Sequence, residues 1–325
     1  MKHGDALPGR NALADEYGCS WSTLNRAVSE LILEGLLVAH KGKGTFVSSR
    51  PLVTETISPI KVWLCHPFPS VYSTLAEMMD GLRQAARERG RPIEFLDSVI
   101  SHAEPQDLTG YIVVTPSNEQ FVRLQQAWDR GERFVVLNSD FDNSKFASVN
   151  ADIYGSTLAA IRHFMQHGHR RIGLLGIRYG FSNYERRIAA CRDALQEAGV
   201  PFHREWVVER LENLQETKRL FREWLEAHPE CTAVFAADYT SALLFMEIVQ
   251  EKGIRIPEEL SLFVSGETLS ASMLKVSLST VVQPFVELSK IAVFRLLDKE
   301  WGRGTELLPC KLIIRDSVAA LVEER

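Results

Sequence analysis

Residues 36–47 read Leu-Leu-Val-Ala-His-Lys-Gly-Lys-Gly-Thr-Phe-Val, the pattern of a short β-hairpin with a basic turn. Gly42 and Gly44 permit a tight turn, and Lys41 and Lys43 would face a phosphate backbone. The strand over residues 45–47 would hold the hairpin against neighbouring helices. Basic hairpins are often only solvated turns, so the interpretation depends on the residues that precede this one.

Two helical segments separated by a turn precede the hairpin. Gly18 suits the turn, and Ser20 is a suitable N-cap for the second helix. Apolar residues at helical spacing predict a core that contains Leu13, Tyr17, Leu24, Ala27, Val28 and Leu31. The second helix would present Trp21, Ser22, Asn25 and Arg26 outward. A helix-turn-helix followed by a basic hairpin predicts a winged helix.

Residues 6–47 resemble the GntR-type winged-helix repressors. That family has a Leu-Pro-Ser start, a Ser-x-x-Thr step into the recognition helix, a Glu-Gly-Leu helix end and a Gly-x-Gly-Thr-Phe wing; the same steps occur here at residues 7–8, 20–23, 34–36 and 42–46. The resemblance implies a DNA-binding domain over residues 1–50 and a further helix before Lys2. Because that helix is missing from this sequence, we expect either a truncated start or an incomplete domain. The resemblance also implies DNA contacts from Arg10, Asn11, Ser20, Trp21, Ser22, Thr23, Asn25, Arg26, Lys41, Gly42 and Lys43.

The DNA-binding face departs from the family pattern. Such proteins carry arginines where this chain has Asn11, Trp21 and Asn25, which implies an altered operator code or weaker binding. Residues 1–50 contain six Lys and Arg against five Asp and Glu, a net charge of +1, whereas the remaining residues carry a net charge of −6. Because phosphate neutralisation supplies most non-specific affinity, the few cations of this segment must be well placed.

Composition places the whole chain among ordinary globular proteins. It has 325 residues, of which 45% are hydrophobic and 24% charged, enough for two or three domains. No apolar run approaches the roughly 20 residues of a membrane span, and no signal peptide is apparent, so we expect a cytoplasmic protein. The five scattered cysteines predict packing thiols without metal or disulfide roles, and no cofactor is expected. Pro and Ser residues predict a linker over residues 51–60.

From Ile60 onward, short β-branched runs alternate with amphipathic helices, which predicts an α/β fold with two successive doubly wound parallel sheets. Ligands of such sheets bind outside the carboxyl ends of the strands, and two facing sheets form a cleft. The predicted strands cover residues 61–65, 93–96, 111–114, 134–137, 172–175, 206–208, 233–236 and 261–264. The predicted helices cover residues 75–88, 121–129, 156–166, 185–198, 217–227 and 241–252.

Residues 60–320 resemble the effector-binding domain of LacI-type repressors and the related periplasmic sugar-binding proteins. The resemblance lies in Gly-His-Arg-Arg-Ile at residues 168–172, a Gly-x-x-x-Pro step at residues 253–257 and Ser-Thr-Val-Val-Gln-Pro at residues 279–284. It implies a periplasmic-binding-protein-like domain over residues 61–325 that binds an effector and dimerises, with subdomain crossovers near residues 150, 282 and 310. The combination is similar to the arabinose-repressor type of hybrid regulator. Residues 169–171 are interpreted as structural.

The same resemblance nominates an effector site. Arg187 occupies the place of the family's effector-contacting arginine, and its fork of donors suits hydroxyls or a carboxylate; the alternative is a surface arginine paired with Glu185. Asp238 and Tyr239 stand where relatives carry Asn-Asp, and Glu267 follows a strand after which relatives carry aspartates. Strand ends add Phe68, Tyr72, Ser73, Thr115, Ser117, Asn138 and Asp140, and the opposite wall adds Tyr179 and Phe181. A pentose or hexose fits this inventory, as does a nucleoside or an aromatic acid.

The sequence thus favours a DNA-binding transcriptional repressor controlled by a small-molecule effector and acting as a homodimer on operator DNA. An enzyme is disfavoured because the chain has no Gly-x-Ser-x-Gly elbow, no phosphate-cradling glycine loop after the first strand and no metal-ligand pair at helical spacing. The other open alternative is a soluble sugar sensor whose DNA-binding domain is defective.

Overall fold

Contacts divide the chain into two units, Met1–Ser58 and Pro59–Arg325. The computed structural model describes residues 4–33, 36–40, 44–47, 59–65, 72–96, 110–142, 144–266, 275–302 and 304–321. Most of the predicted linker, residues 51–58, therefore lies outside the described part.

The first unit contains the predicted helix-turn-helix and hairpin. Helix α1 (Arg10–Glu16) and helix α2 (Trp21–Leu33) are followed by strands β1 (Leu37–His40) and β2 (Gly44–Val47), which pair antiparallel. Gly18 adopts a left-handed φ of 59° in the turn, where a side chain would be strained. Ser20 caps α2, because its Oγ accepts from the amide of Thr23 at 3.1 Å. Lys41, Gly42 and Lys43 lie outside the described residues.

The core of this unit contains fewer of the predicted residues than the sequence suggested. Leu13, Leu24, Val28 and Leu37 are buried, but Tyr17 is 70% exposed, and Ala27 and Leu31 are also exposed. The buried face of α2 follows residues spaced four apart, and Ala27 and Leu31 fall on the neighbouring row. Tyr17 lies in the turn beyond α1. The prediction that these three residues belong to the core was wrong.

The second unit contains two six-stranded sheets. The first is entirely parallel, in the order β13-β7-β6-β5-β3-β4. Its elements before the first crossover are β3 (Ile60–Leu64), α3 (Tyr72–Glu88), β4 (Ile93–Leu96), β5 (Tyr111–Val114), α4 (Asn118–Asp129), β6 (Phe134–Leu137) and β7 (Ser148–Ala151). Strands β5 and β6 are buried at every residue, as expected for central parallel strands covered on both faces.

The second sheet has the order β14-β12-β11-β10-β8-β9 and is parallel except for β14. Its elements are α5 (Ile153–Gln166), β8 (Ile172–Ile177), α6 (Ser182–Glu197), β9 (Val207–Glu209), α7 (Leu214–Ala227), β10 (Ala233–Ala236), α8 (Tyr239–Glu251), β11 (Ser261–Ser265), β12 (Ser279–Val282) and β14 (Lys311–Ile313). Between β12 and β14 the chain returns to the first sheet, to which it adds α9 (Phe285–Leu297) and β13 (Thr305–Leu308). The predicted α/β architecture with two doubly wound sheets is confirmed.

Close packing of α3 on α9 depends on Gly81. A Cβ at this position would lie 2.8 Å from Ser289 Cβ and closer still to the carbonyl oxygen of Val286. We therefore expect Gly81→Ala to force the two helices apart and to lower the free energy of unfolding by about 1–3 kcal/mol. Urea denaturation measures this loss. Arg83→Ala, on the exposed side of the same helix, is the control; an equal effect of the two substitutions would contradict the packing argument.

A buried histidine makes stability depend on pH. His169 is 3% exposed, and its ring nitrogens bond to Thr232 Oγ1 at 2.9 Å and to the carbonyl oxygen of Ala319 at 3.0 Å. Burial lowers its pKa below the ordinary value of 6.5, so the folded state favours the neutral ring. Its contribution to stability is complete above pH 6.5 and is lost as the pH falls through the lowered folded-state pKa.

We therefore expect the melting temperature to fall as the pH is lowered from about 6.5 to 5, and to fall less in His169→Gln. Differential scanning calorimetry across this range tests the expectation. His163, whose pKa burial also lowers, should retain part of the slope in that variant. An unchanged slope in His169→Gln would show that His169 does not titrate with unfolding.

Candidate functional site

A cavity lies between the two sheets, at the carboxyl ends of their strands. It encloses about 970 Å³, including the space at its open mouth. One wall comes from α3, from the ends of β5 and β6, and from the start of α9; the other comes from α6 and from the ends of β8, β10, β11 and β12. The lining residues are Thr74, Leu75, Met78, Thr115, Asn138, Ser139, Arg178, Phe181, Asn183, Tyr184, Arg187, Ala237, Asp238, Tyr239, Thr240, Ser265, Gly266, Gln283 and Phe285.

Arg187 is the most deeply buried cation of this cavity. It projects from α6 and is 4% exposed. Its Nη1 donates to the carbonyl oxygen of Asn183 at 3.0 Å, and its Nη2 donates to Ser265 Oγ at 2.9 Å. Its guanidinium also lies 5.1 Å from the ring centroid of Tyr184. The alternative of a surface arginine paired with Glu185 is excluded, because Arg187 is buried and Glu185 accepts a hydrogen bond from Asn118.

Asp238 is held by three donors. Its Oδ1 accepts from the amide of Ser241 at 2.8 Å and caps α8, while its Oδ2 accepts from Arg210 Nε at 3.0 Å and from the Tyr184 hydroxyl at 3.4 Å. Burial, with the nearby Asp238 charge, raises the pKa of Tyr184, so its phenol stays protonated and donates. Asp238 is thereby positioned and largely neutralised by protein groups.

Two strand ends at the cavity have an unusual backbone. Thr115 follows β5 with φ 51°, and Asn138 follows β6 with φ 62°. Left-handed backbone is uncommon outside glycine and costly for a β-branched residue such as threonine, and such outliers concentrate at binding sites. Asn138 Nδ2 donates to Thr115 Oγ1 at 2.9 Å, which fixes both side chains at the lining.

An asparagine network connects the two walls. Asn183 Nδ2, on α6, donates to the carbonyl oxygen of Asn138 at 2.9 Å, and Asn183 Oδ1 accepts from Asn150 Nδ2 at 2.7 Å. Asn150 Nδ2 also donates to Asp140 Oδ1 at 2.9 Å. Because Asn150 belongs to the first sheet and Asn183 to a helix of the second, the network spans the junction beside the cavity.

Further polar contacts cross the cleft at its edge. Asn118 Nδ2 donates to Glu185 Oε1 at 2.7 Å, and its amide donates to the carbonyl oxygen of Gly180 at 2.8 Å. Arg186 lies 3.2 Å from Asp140 and 2.5 Å from Asp142. These contacts hold the start of α6 against the first sheet, so any change in the opening of the cleft must rearrange them.

Aromatic and apolar groups complete the cavity. Phe181, Tyr184 and Phe285 supply ring surfaces, and the guanidinium of Arg178 stacks 4.9 Å from the Phe181 ring centroid. Ring faces beside convergent hydroxyl and amide groups suit an amphipathic ring such as a sugar.

The structure brings six of the nominated effector residues to this cavity: Thr115, Asn138, Phe181, Arg187, Asp238 and Tyr239. Tyr179 does not line it; this residue is 40% exposed, with the Arg204 guanidinium over its ring. Ser117 and Asp140 also do not line the cavity. Ser117 caps α4, and Asp140 pairs with Arg186. Phe68 and Glu267 lie outside the described residues, as do the side chains of Tyr72 and Ser73.

Sequence reasoning missed several lining residues, above all Asn183 and Tyr184. It predicted that this helix begins at residue 185, whereas α6 begins at Ser182. Asn183 and Tyr184 precede Arg187 by four and three residues, the spacing that places side chains on one helix face. That spacing was a usable signal.

The helix-turn-helix has a second set of nominated residues. Trp21 is 54% exposed, and Asn11, Ser22, Thr23 and Arg26 are also exposed. Arg10 Nη1 donates to Asn25 Oδ1, which links the start of α1 to the exposed face of α2. Arg26 pairs with Glu30 one turn along the same helix at 3.1 Å.

The described residues contain no helix long and apolar enough to span a bilayer and no group of three or more His, Cys, Asp or Glu suited to a metal ion. All five cysteines are free thiols. Burial raises the pKa of Cys191 and of Cys231 to about 12, which keeps both protonated, in agreement with a packing role.

Comparison with known families agrees with this architecture. Residues 1–47 match the bacterial regulatory proteins of the gntR family, and residues 161–318 match the periplasmic binding protein-like domain. The chain joins a gntR-family domain to a periplasmic binding protein-like domain. The arabinose metabolism transcriptional repressor of Halalkalibacterium halodurans is 22% identical over 100% of this chain and 93% of that protein. The ribose operon repressor of Haemophilus influenzae is 29% identical over 54% of this chain and 56% of that protein.

Solved structures resemble the periplasmic binding protein-like domain in fold. A LacI family transcriptional regulator from Enterococcus faecium with bound ribose has a TM-score of 0.66 and 21% identity, over 81% of this chain and 100% of that one. The complex of the transcriptional regulator CelR with cellobiose has a TM-score of 0.69 and 19% identity, over 96% of this chain and 100% of that one. At these identities the likeness establishes the fold of the periplasmic binding protein-like domain and leaves its ligand open.

Proposed function

We propose that this protein is a transcriptional repressor whose affinity for operator DNA is controlled by a small sugar-like effector bound in the cavity between the two sheets. The observation that carries the proposal is the presence, in one chain, of a gntR-family helix-turn-helix and of a built polar and aromatic cavity in a periplasmic binding protein-like domain. Relatives named as repressors of ribose and arabinose genes support it.

DNA binding is assigned to the exposed face of α2 and to the wing. The segment near residues 20–28 would enter the major groove, with Arg10 and Asn25 at base edges and Arg26, Lys41 and Lys43 at phosphates. The near-neutral charge of residues 1–50 implies few phosphate contacts and hence a shallow dependence of affinity on salt.

Effector control is assigned to the contacts that cross the cleft. A ligand held between Arg187 on one wall and Asn138 on the other favours one opening of the two subdomains, and the Asn118–Glu185 and Arg186–Asp140 contacts must follow it. Coupling of this kind is typically about 1–3 kcal/mol, a change of roughly 5- to 150-fold in operator affinity.

The proposal includes a homodimer, since paired readers fit a palindromic operator. The reader would cover residues 1–50, the linker residues 51–60, and the effector-binding and dimerisation domain residues 61–325. A repressor acts on chromosomal DNA, so the proposed place of action is the cytoplasm.

Selection of bound fragments from sheared source-genome DNA tests the proposal. Affinity for the enriched fragment is then compared with affinity for random DNA at about 50 mM and 200 mM salt. Enrichment of a palindromic site that retains its preference at the higher salt supports a specific regulator. Binding that shows no preference and disappears with salt supports instead a sensor with a defective reader.

A further inference from the structure

The described lining of the cavity carries more positive than negative charge. Arg178 and Arg187 line it, whereas Asp238 is the sole carboxylate among its described lining residues. Asp238 is already bonded to Arg210, to the Tyr184 hydroxyl and to the amide of Ser241. The carboxylate is therefore engaged on both oxygens, and the described lining has an excess of positive charge.

Arg187 is the group that most needs an anion. A guanidinium has five N–H donors, and the two acceptors that the described residues give Arg187, the Asn183 carbonyl and the Ser265 hydroxyl, are both uncharged. Its buried Nε has no acceptor in the described part of the chain. Burying a cation whose hydrogen-bond acceptors are both neutral is costly, and this burial lowers the pKa of Arg187, whereas the nearby Tyr184 and Asp238 act in the opposite direction.

The other lining residues are uncharged polar and aromatic side chains. Thr115, Asn138 and Gln283 offer hydroxyl and amide groups, and Phe181 and Phe285 offer ring faces. A ligand that satisfies the whole cavity therefore combines a hydroxylated ring with a negatively charged group.

We infer that the effector is a sugar acid, a monosaccharide-sized ligand whose carboxylate pairs with Arg187 while its hydroxyls face Thr115 and Asn138. The inference rests on the proposed function and narrows its ligand from sugars in general to their acidic derivatives. A carboxylate supplies the charge-assisted acceptor that the described protein groups do not give to Arg187.

Calorimetric titration of the full chain with matched ligand pairs tests this inference. The probes are glucose and glucuronic acid, galactose and galacturonic acid, and gluconic acid, with 4-hydroxybenzoate as an aromatic acid that is not a sugar. We expect at least one sugar acid to bind about tenfold or more tightly than its neutral parent. Tighter binding of the neutral sugar, no binding by any acid, or tightest binding of 4-hydroxybenzoate would overturn the inference.

Variants assign the preference to Arg187. Arg187→Gln should reduce the acid-to-neutral affinity ratio to about one, because the amide donates without charge. Arg162→Gln, which makes the same change in an exposed arginine paired with Glu197 outside the cavity, should retain the ratio. The melting temperature of ligand-free Arg187→Gln should equal or exceed that of the parent, since a buried cation without an anion does not favour folding; a large decrease would show that Arg187 is a structural residue.

Glu267→Gln tests whether the chain itself provides the anion. We expect the preference for the acid to be already present in the parent. Acid binding that emerges only in Glu267→Gln would overturn the inference, because it would show that a protein carboxylate competes for Arg187. If a sugar acid binds but leaves operator affinity unchanged, the inferred ligand class stands and the proposed regulation is refuted. Failure of the ligand inference and failure of the proposed function therefore give different results.

Discussion

Arg187→Ala is expected to abolish the change in operator affinity that the effector causes, while operator affinity without effector stays at the parental level. Arg187 lines the cavity and donates to Ser265 on the same wall, far along the chain from the helix-turn-helix. Loss of its charge removes the strongest polar interaction available to a ligand there, so the full coupling of roughly 5- to 150-fold should disappear. Fluorescence anisotropy with labelled operator, with and without effector, measures both quantities.

Arg162→Ala is the matched control for this experiment. Arg162 is also an arginine of the second subdomain, but it forms an exposed pair with Glu197, where both side chains are 51% exposed. Removal of such a pair changes little, so the effector response should remain. A reversed result, in which Arg187→Ala weakens operator binding and retains the response, would refute the assignment of the cavity.

Arg10→Ala is expected to weaken operator binding by about ten- to 100-fold and to relax specificity at one base position. Arg10 Nη1 donates to Asn25 Oδ1, so Arg10 orients the amide of Asn25, and its Nδ2 is the group that would donate to a base. Donors from these two side chains would suit an acceptor-rich edge such as the N7 and O6 of guanine. Anisotropy titrations with the selected operator and with single-base variants measure the loss.

Asn25→Ala and the double variant complete a cycle with Arg10→Ala. If Arg10 acts partly by orienting Asn25, the two effects should be less than additive. Arg26→Ala should weaken binding to all sequences alike and lower the salt dependence by about one unit, as a phosphate contact does. Arg123→Ala, which breaks a similar pair with Glu119 on α4, is the control and should leave operator affinity unchanged. Fully additive effects of Arg10→Ala and Asn25→Ala would contradict the orienting role.

The α/β architecture was predictable because its central strands are continuous apolar runs. Residues 111–114 and 134–137 were predicted as strands and are strands with those bounds. Strand β7 was missed because it reads Ser-Val-Asn-Ala, and its polar residues are buried only through distant partners. Ser148 bonds to Thr305 at 2.7 Å, and Asn150 bonds to Asn183, so neither pairing is visible locally.

Helix starts were predicted late for a related reason. Helices α4, α5, α6 and α7 each begin three residues before the predicted start. Their first turns contain polar residues that apolar periodicity does not detect, although Ser117, Asp152 and Asn213 are recognisable caps. The late start of α6 is also why Asn183 and Tyr184 were absent from the predicted site. Arg187 was placed by family resemblance, and its near-complete burial among neutral acceptors emerged only from the fold.

The path of the chain through the two sheets also bears on how the protein is made. The reader elements end at residue 47, whereas the first sheet gains α9 and its edge strand β13 only from residues 285–308, and the second gains β14 only from residues 311–313. During synthesis the helix-turn-helix therefore leaves the ribosome long before either sheet is complete. Each subdomain is built from separate parts of the chain, so neither could be exchanged as one continuous segment. The helix-turn-helix and its hairpin form one continuous segment, which evolution or an engineer could replace at a single junction.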